Sequence, residues 1–331
     1  MAKDSTPLTA YFDLYRLALS YEGKSPKTVA TYFANLNQFA RHLGRRLGRP
    51  AVLSDFTPDS VVEYVSVRKL EPKSVGHPDH KVTQGRLSPL SIGQYVPTLK
   101  GFAAWLREKR YTRSNVLKKL QRPKVPTMVI EPLTEAEIRQ VFATLNTRTP
   151  YGARNNAILL LLLDTGLRCG ELCKLTLEDV HLEGKHAYVK VLGKGQKERI
   201  VYLGRRTHEA VLSYRTSVRP RHERDPAVSS FFLTTRGHGL TLGTVQQVMI
   251  DVGQAAGVPR LHAHLLRHTS ATQYLVHGGD AISLQHKLGH SGLDMTKRYV
   301  HFASAQLAAI QQRVAPMDKL EIKGMRVPRR K

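Results

Sequence analysis

The sequence predicts a mainly α-helical chain with one small β-sheet, arranged as an all-helical amino-terminal domain followed by a mixed α/β domain. Three observations carry that prediction. Apolar residues recur at helical spacing through most of the first third. A proline-bearing stretch with little periodicity, QRPKVPTMVIEP at 121–132, then interrupts the pattern, and proline cannot continue a helix. Beyond it, two short runs rich in β-branched and aromatic residues, HAYVKVL and ERIVYL, stand among further helical segments. A chain of 331 residues is long enough for two domains, and a hydrophobic fraction of 41 % suffices for globular cores. The boundaries fall at 1–125 for the helical domain, 126–316 for the mixed domain and 317–331 for a basic tail.

Each element has its own signal. Pro7 to Tyr21 is amphipathic through Leu8, Tyr11, Phe12, Tyr15 and Leu19. Ser25-Pro26 opens a second helix, with serine as cap and proline in the first turn. Thr57-Pro58 opens a third, and Ser88-Pro89 a fourth that carries Tyr95, Leu99, Phe102, Trp105 and Leu106. Between them, Glu71 to Ser88 is rich in Pro, Gly, His and Lys and reads as a loop. Thr134 and Glu137 have the spacing of a capping box, so a helix starts there. Arg154 to Asp164 is nearly all apolar and predicts a buried helix. His186–Leu192 and Glu198–Leu203 predict strands joined by the hairpin turn Gly193-Lys194-Gly195-Gln196-Lys197, and Ser230–Thr234 a further short strand. Helices follow at 241–256, 264–277, 280–287, 294–300 and 304–313.

Charge narrows the function. Lys and Arg number 51 against 26 Asp and Glu, a net charge of +25. So basic a surface calls for counter-charge, and a polyphosphate backbone supplies it; nucleic acid is the expected partner. The start of the chain lacks the pattern of a secretory signal, and the longest apolar run, Ala157 to Leu163, is too short to cross a bilayer. No membrane partner is expected, and the expected location is the cytoplasm, with the bacterial nucleoid. The two cysteines, Cys169 and Cys173, lie four apart on one predicted helix. They read as small buried side chains rather than a disulfide.

Breaking a phosphodiester without a metal needs a nucleophile, charge compensation on the non-bridging oxygens, and a proton for the leaving oxygen. Arginine forks suit the second task, lysine or histidine the third, and tyrosine the first when cations offset its high pKa. The carboxy-terminal half offers this set. Arg168 stands in LDTGLRCGEL, where the Thr165-Gly166 break puts it at the start of a new helix. Lys194 sits between glycines at the hairpin tip, with Lys197 as its rival. His264 and Arg267, three apart in HAHLLRHTSAT, share a helix face. His290 ends KLGH, and Tyr299 follows in MTKRYVH.

These segments resemble the tyrosine recombinases, which include phage integrases and Xer-type resolvases. TGLRCGEL resembles the family's first arginine box, LLRHTSAT with His264 its His-x-x-Arg box, and LGHSGLDMTKRYVH the box holding a histidine and the nucleophilic tyrosine. The resemblance covers roughly residues 130–303; the first 125 match only as a basic helical domain of suitable length. It implies a helical core-binding (SAM-like) domain ahead of a tyrosine-recombinase catalytic domain. It further implies Tyr299 as nucleophile through a 3′-phosphotyrosyl link, Arg168 and Arg267 on the scissile phosphate, and Lys194 as general acid. His264 and His290 would assist at the phosphate or tyrosine, and Glu171 would be an accessory orienting acid. Neither cofactor nor metal is expected. Double-stranded DNA with paired sites, a homo-tetramer joined through the carboxy-terminal segment, and a Holliday junction follow from the same resemblance. Ala263 departs from the pattern, since many relatives carry proline there.

Two other readings stand beside this one. A catalytically silent DNA-binding accessory protein of the same fold would carry the same charge. A metal-dependent tyrosine nickase of the His-hydrophobe-His type would use His262 and His264 on a strand. His262, His268, His286 and His301 are otherwise read as structural or surface residues.

Overall fold

Four threonine or serine caps do much to place the helices. In the computed structural model, which describes residues 6–73, 83–123, 130–193, 197–290 and 292, Ser25, Thr57, Ser88 and Thr134 each accept a backbone N–H three residues on. Each thereby satisfies a donor that the first helical turn leaves unpaired. The chain divides into two compact units, Met1–Met128 and Val129–Lys331.

The first unit holds α1 (Leu8–Tyr21), α2 (Pro26–Leu47), α3 (Pro58–Leu70), α4 (Pro89–Gly93) and α5 (Tyr95–Glu108). Its core is aromatic. Phe12, Phe39, Phe56, Tyr64 and Phe102 are essentially inaccessible and meet edge-on or tilted at centroid separations of 5.1–5.6 Å, the arrangement ring quadrupoles favour. Two expectations need correction. The stretch 71–88 is not all loop: β1 (Pro72–Lys73) pairs antiparallel with β2 (Thr83–Arg86). The helix after Pro89 breaks in two at Gln94, because Pro97 has no N–H to donate to the Gly93 carbonyl four residues back.

The second unit is built on α7 (Pro150–Thr165), whose Ala157, Ile158, Leu159, Leu161 and Leu162 are fully buried. Around it lie α6 (Glu135–Ala143), α8 (Cys169–Lys174), α9 (Arg205–Ser213), α10 (Arg219–His222), α11 (Leu242–Ala255), α12 (Ala263–Val276) and α13 (Ala281–Leu288). An antiparallel sheet runs in the order β3 (Val180–His181), β4 (Tyr188–Leu192), β5 (Glu198–Tyr202). The register sets Val189 opposite Val201 and Val191 opposite Arg199, so these four share the inward face.

The sequence analysis assigns no element to 205–222, and two of its expectations differ here. Residues 205–222 are helical, α9 and α10 being joined by a π-helical stretch, Tyr214–Val218; its buried stripe is sparse, Thr207, Val211, Tyr214 and Val218 among many charges. Ser230–Thr234 forms isolated bridges, Thr176 to Ser230 and Leu233 to Gly239, instead of a strand. The two cysteines are free but half-buried. The helices expected at 294–300 and 304–313, the hairpin tip 194–196 and the basic tail lie outside the described residues. Among the described residues no helix is long and apolar enough to cross a membrane.

Candidate active site

The site begins where α7 stops. Gly166 caps that helix in the left-handed conformation, φ +66°. A β-carbon there would also lie 2.6 Å from the Leu288 side chain, so glycine is required twice over. Freed by this turn, the chain re-enters a helix with Arg168 as the capping residue of α8. Glu171, three residues on, accepts the Arg168 backbone N–H at 2.8 Å and the Arg168 guanidinium at 2.8 Å. The Glu171 carboxylate therefore fills part of the helix terminus. Arg168 itself stays partly open to solvent, its side chain 39 % exposed.

Glu171 has a second, deeper partner that the sequence reading missed. Arg199, on the inward face of β5, donates Nη1 and Nη2 to the two Glu171 oxygens at 3.0 and 2.8 Å. Its Nε donates to the Lys287 carbonyl at 3.0 Å. Burial pushes the Glu171 carboxyl up, but the hydrogen bonds from Arg199 and Arg168 reverse this and hold it below the usual carboxylate range. One buried carboxylate thus joins the first arginine to the hairpin strand and to the end of α13. The available signal was the strand alternation: Arg199 and Val201 fall on the same face, and an arginine on the buried side of a short strand must be paired.

Arg267 completes the junction from α12. It is 2 % exposed, and its guanidinium donates to the Gly166 carbonyl and, at 2.8 Å, to the Leu288 carbonyl. Those carbonyls lie two residues before Arg168 and two before His290. Gly289, at φ +63°, ends α13 and turns the chain into His290, which is buried. Arg199 packs against this glycine, where an added β-carbon would meet the guanidinium at 3.0 Å.

The structure therefore gathers Arg168, Glu171, Arg267 and His290 around the meeting point of the α7–α8 turn, α12 and the end of α13. His264 is exposed in the first turn of α12, one turn ahead of Arg267. Lys194 and Tyr299 lie outside the described residues; in the sequence Lys194 falls between β4 and β5. His268, read as structural, is buried and bonded to the Ile130 carbonyl, pinning the start of this unit. His262 and His264 straddle the beginning of α12 rather than lying on a strand, which removes the geometry a His-hydrophobe-His nickase needs. Among the described residues no group of three or more His, Cys, Asp or Glu side chains is placed to hold a metal.

Known proteins share this fold. The profile described as the Phage integrase family matches residues 131–306. The Tyrosine recombinase XerC of Myxococcus xanthus is 30 % identical over 316 residues, covering 94 % of this chain and 99 % of that protein. The Tyrosine recombinase XerD of Listeria innocua is 27 % identical over 308 residues, covering 92 % and 97 %. Two solved structures share the fold. The XerH site-specific recombinase in a post-cleavage complex with a palindromic difH substrate matches with TM-score 0.68 at 20 % identity, over 89 % of this chain and 81 % of that one. A lambda integrase dimer bound to a COC′ core site matches with TM-score 0.65 at 20 % identity, over 96 % and 81 %.

Proposed function

The chain belongs to the phage integrase family, and on that premise we propose that it is a site-specific tyrosine recombinase that cuts and rejoins DNA through a 3′-phosphotyrosyl intermediate. The observation that carries the assignment of residues is the convergence of Arg168, Arg267 and His290 on one junction braced by Glu171. Guanidinium groups keep their charge at any working pH and match phosphate oxygens with paired N–H groups. Arg168 and Arg267 are assigned to the non-bridging oxygens, where negative charge grows as phosphorus becomes five-coordinate.

The reaction balances without an added cofactor. The Tyr299 oxygen passes its proton to His264, attacks phosphorus and forms the new P–O bond. The bond from phosphorus to the 5′ oxygen breaks, and Lys194 delivers a proton to that oxygen. His264 and His290 assist proton movement and hold the phosphate, and Glu171 orients Arg168. A free 5′-hydroxyl then reverses the step on another strand, so phosphoester energy is conserved. Exchange between two duplexes requires four such sites, hence a homo-tetramer on paired DNA sites with a Holliday-junction intermediate, joined through residues 304–313. The amino-terminal unit, about 1–125, is assigned to DNA backbone and groove contacts, the basic tail to further contact with DNA, and the protein to the bacterial cytoplasm at the nucleoid.

The test uses nicked half-sites that trap the covalent species. Wild-type protein becomes attached to the 3′ phosphate, the modified peptide contains Tyr299, and Tyr299→Phe binds DNA without attachment. Attachment persisting in that variant moves the nucleophile elsewhere; a wild-type chain that binds but never attaches is the silent accessory protein instead. Lys194 and Lys197 are separated with a substrate bearing sulfur at the 5′ bridging position, whose leaving group needs no proton. It restores cleavage to the Ala variant of whichever lysine is the acid.

A further inference from the structure

The amino-terminal unit contains a cavity of about 270 Å³ between α2 and α3, well beyond the roughly 30 Å³ share of one water. Gln38, Arg41, His42 and Arg45 line it from α2, and Tyr64 and Arg68 from α3, with Glu71 at its edge. Among the described residues, six buried side-chain polar atoms lack a hydrogen-bond partner, and three of them belong to this lining: His42 Nε2, the Tyr64 hydroxyl and Arg68 Nε. Such atoms are rare in folded proteins, and leaving them unpaired is unfavourable.

Their chemistry defines what is missing. Arg68 Nε can only donate, and the Tyr64 hydroxyl has a proton to give. Tyr64 is 1 % exposed and Arg68 6 %, so neither is served by open solvent. Glu71 is already committed to Arg68 Nη1, and the other terminal nitrogen of Arg68 donates to the Tyr95 hydroxyl at 3.3 Å. His42 Nε2 stands 3.9 Å from the nearest Glu63 oxygen, beyond hydrogen-bond reach. Among the described residues Arg41 and Arg45 meet no carboxylate. Three guanidiniums line the cavity against Glu71 at its edge, and Glu63 beside His42 is paired with Arg46, so the cavity is cationic. Buried donors in a cationic cavity are complementary to an acceptor-rich anion.

We infer that the cavity between α2 and α3 is an oxyanion site that takes a phosphate group, held by Tyr64, Arg68 and His42 inside and by Arg41 and Arg45 at the mouth. The group could be carried by a DNA backbone or by a soluble phosphate. The first source rests on the proposed function, the second does not.

The experiment uses the full chain. Its thermal midpoint is followed as inorganic phosphate replaces chloride at constant ionic strength, and its affinity for duplexes of several sequences is measured in parallel. Tyr64→Phe removes a hydroxyl that has no hydrogen-bond partner in the protein, so its midpoint without phosphate stays at or above that of the wild type. Arg45 is exposed, so Arg45→Gln leaves the fold intact. Each variant is expected to weaken phosphate binding about tenfold, one charge-assisted hydrogen bond's worth. A phosphate-specific rise in wild type that both variants lose identifies a soluble anion. No such rise, but a duplex affinity lowered equally for all sequences with a salt slope smaller by about one in Arg45→Gln, identifies a DNA phosphate. Neither response in either variant overturns the site, and covalent cleavage by the same preparations would then leave the recombinase assignment standing.

Discussion

Replacing Arg199 by Met tests whether the buried clasp holds the active site together. The substitution keeps an unbranched apolar stem but removes three hydrogen bonds, two to Glu171 and one to the Lys287 carbonyl. Both partners of the ion pair are sequestered, with side chains 11 % and 8 % exposed, so solvent screening takes away little of the effect. Stripping one partner from a buried pair costs about 3–5 kcal/mol. Glu171 keeps the Arg168 side chain and backbone N–H, which trims this to about 2–3 kcal/mol, and the orphaned Lys287 carbonyl adds about 1 kcal/mol. Urea unfolding should therefore show a loss of about 3 kcal/mol, a sizeable share of the 5–15 kcal/mol typical of a domain. Arg199→Lys, whose single ammonium cannot reach three acceptors in different directions, should recover less than half. Below the unfolding range, covalent attachment to DNA should slow far more than DNA binding weakens, because Arg168 and His290 lose their common brace. A loss under about 1 kcal/mol with normal cleavage would refute the argument.

Three further outcomes follow from the same geometry. Glu171 titrates below its unfolded value of 4.5, so its contribution is complete above that pH and disappears as the pH falls through the lower folded value; Glu171→Gln should flatten the acid limb of a stability profile below about pH 4.5, and an unchanged limb would assign acid lability to other carboxylates. Gly289→Ala meets both a left-handed backbone and the Arg199 guanidinium at 3.0 Å; it should cost about 1–2 kcal/mol in unfolding free energy and lower cleavage, and wild-type values for both would show that the turn relaxes freely. Arg267→Lys should bind DNA yet cleave at least a hundredfold more slowly, about 3 kcal/mol of lost transition-state stabilisation, as read by single-turnover attachment to a half-site; near-normal rates would remove Arg267 from the chemistry.

What the sequence made legible follows from where information is local. Ser25, Thr57, Ser88 and Thr134 announce their helices because cap and first turn lie within four residues. The candidate site boxes are legible for the same reason: Arg168 caps the helix that carries Glu171 three residues on, and His264 and Arg267 sit three apart on one helix. The pairing of β1 with β2 was hidden because its strands are two and four residues long in a segment of Pro, Gly and charge. The helical run 205–222 was hidden because its buried stripe is one residue per turn. Arg199 stayed invisible as a functional residue because its meaning is wholly tertiary: its partners lie 28 and 88 residues away. The alternation of β5 says only that this arginine faces inward, not what it meets.

The partners of the arginines also determine what the site can do with charge. Arg168 and Arg199 share one carboxylate, so that trio carries one positive charge in excess. Arg267 donates to two backbone carbonyls, which hold its guanidinium in place. The cost is that these carbonyls must stay where the ends of α7 and α13 put them, which is why glycines at 166 and 289, each in the left-handed region, flank the two anchor points. The position of Arg267 and the rigidity of the backbone are thus secured by the same hydrogen bonds, and a substitution that loosens either helix end should impair cleavage before it impairs folding.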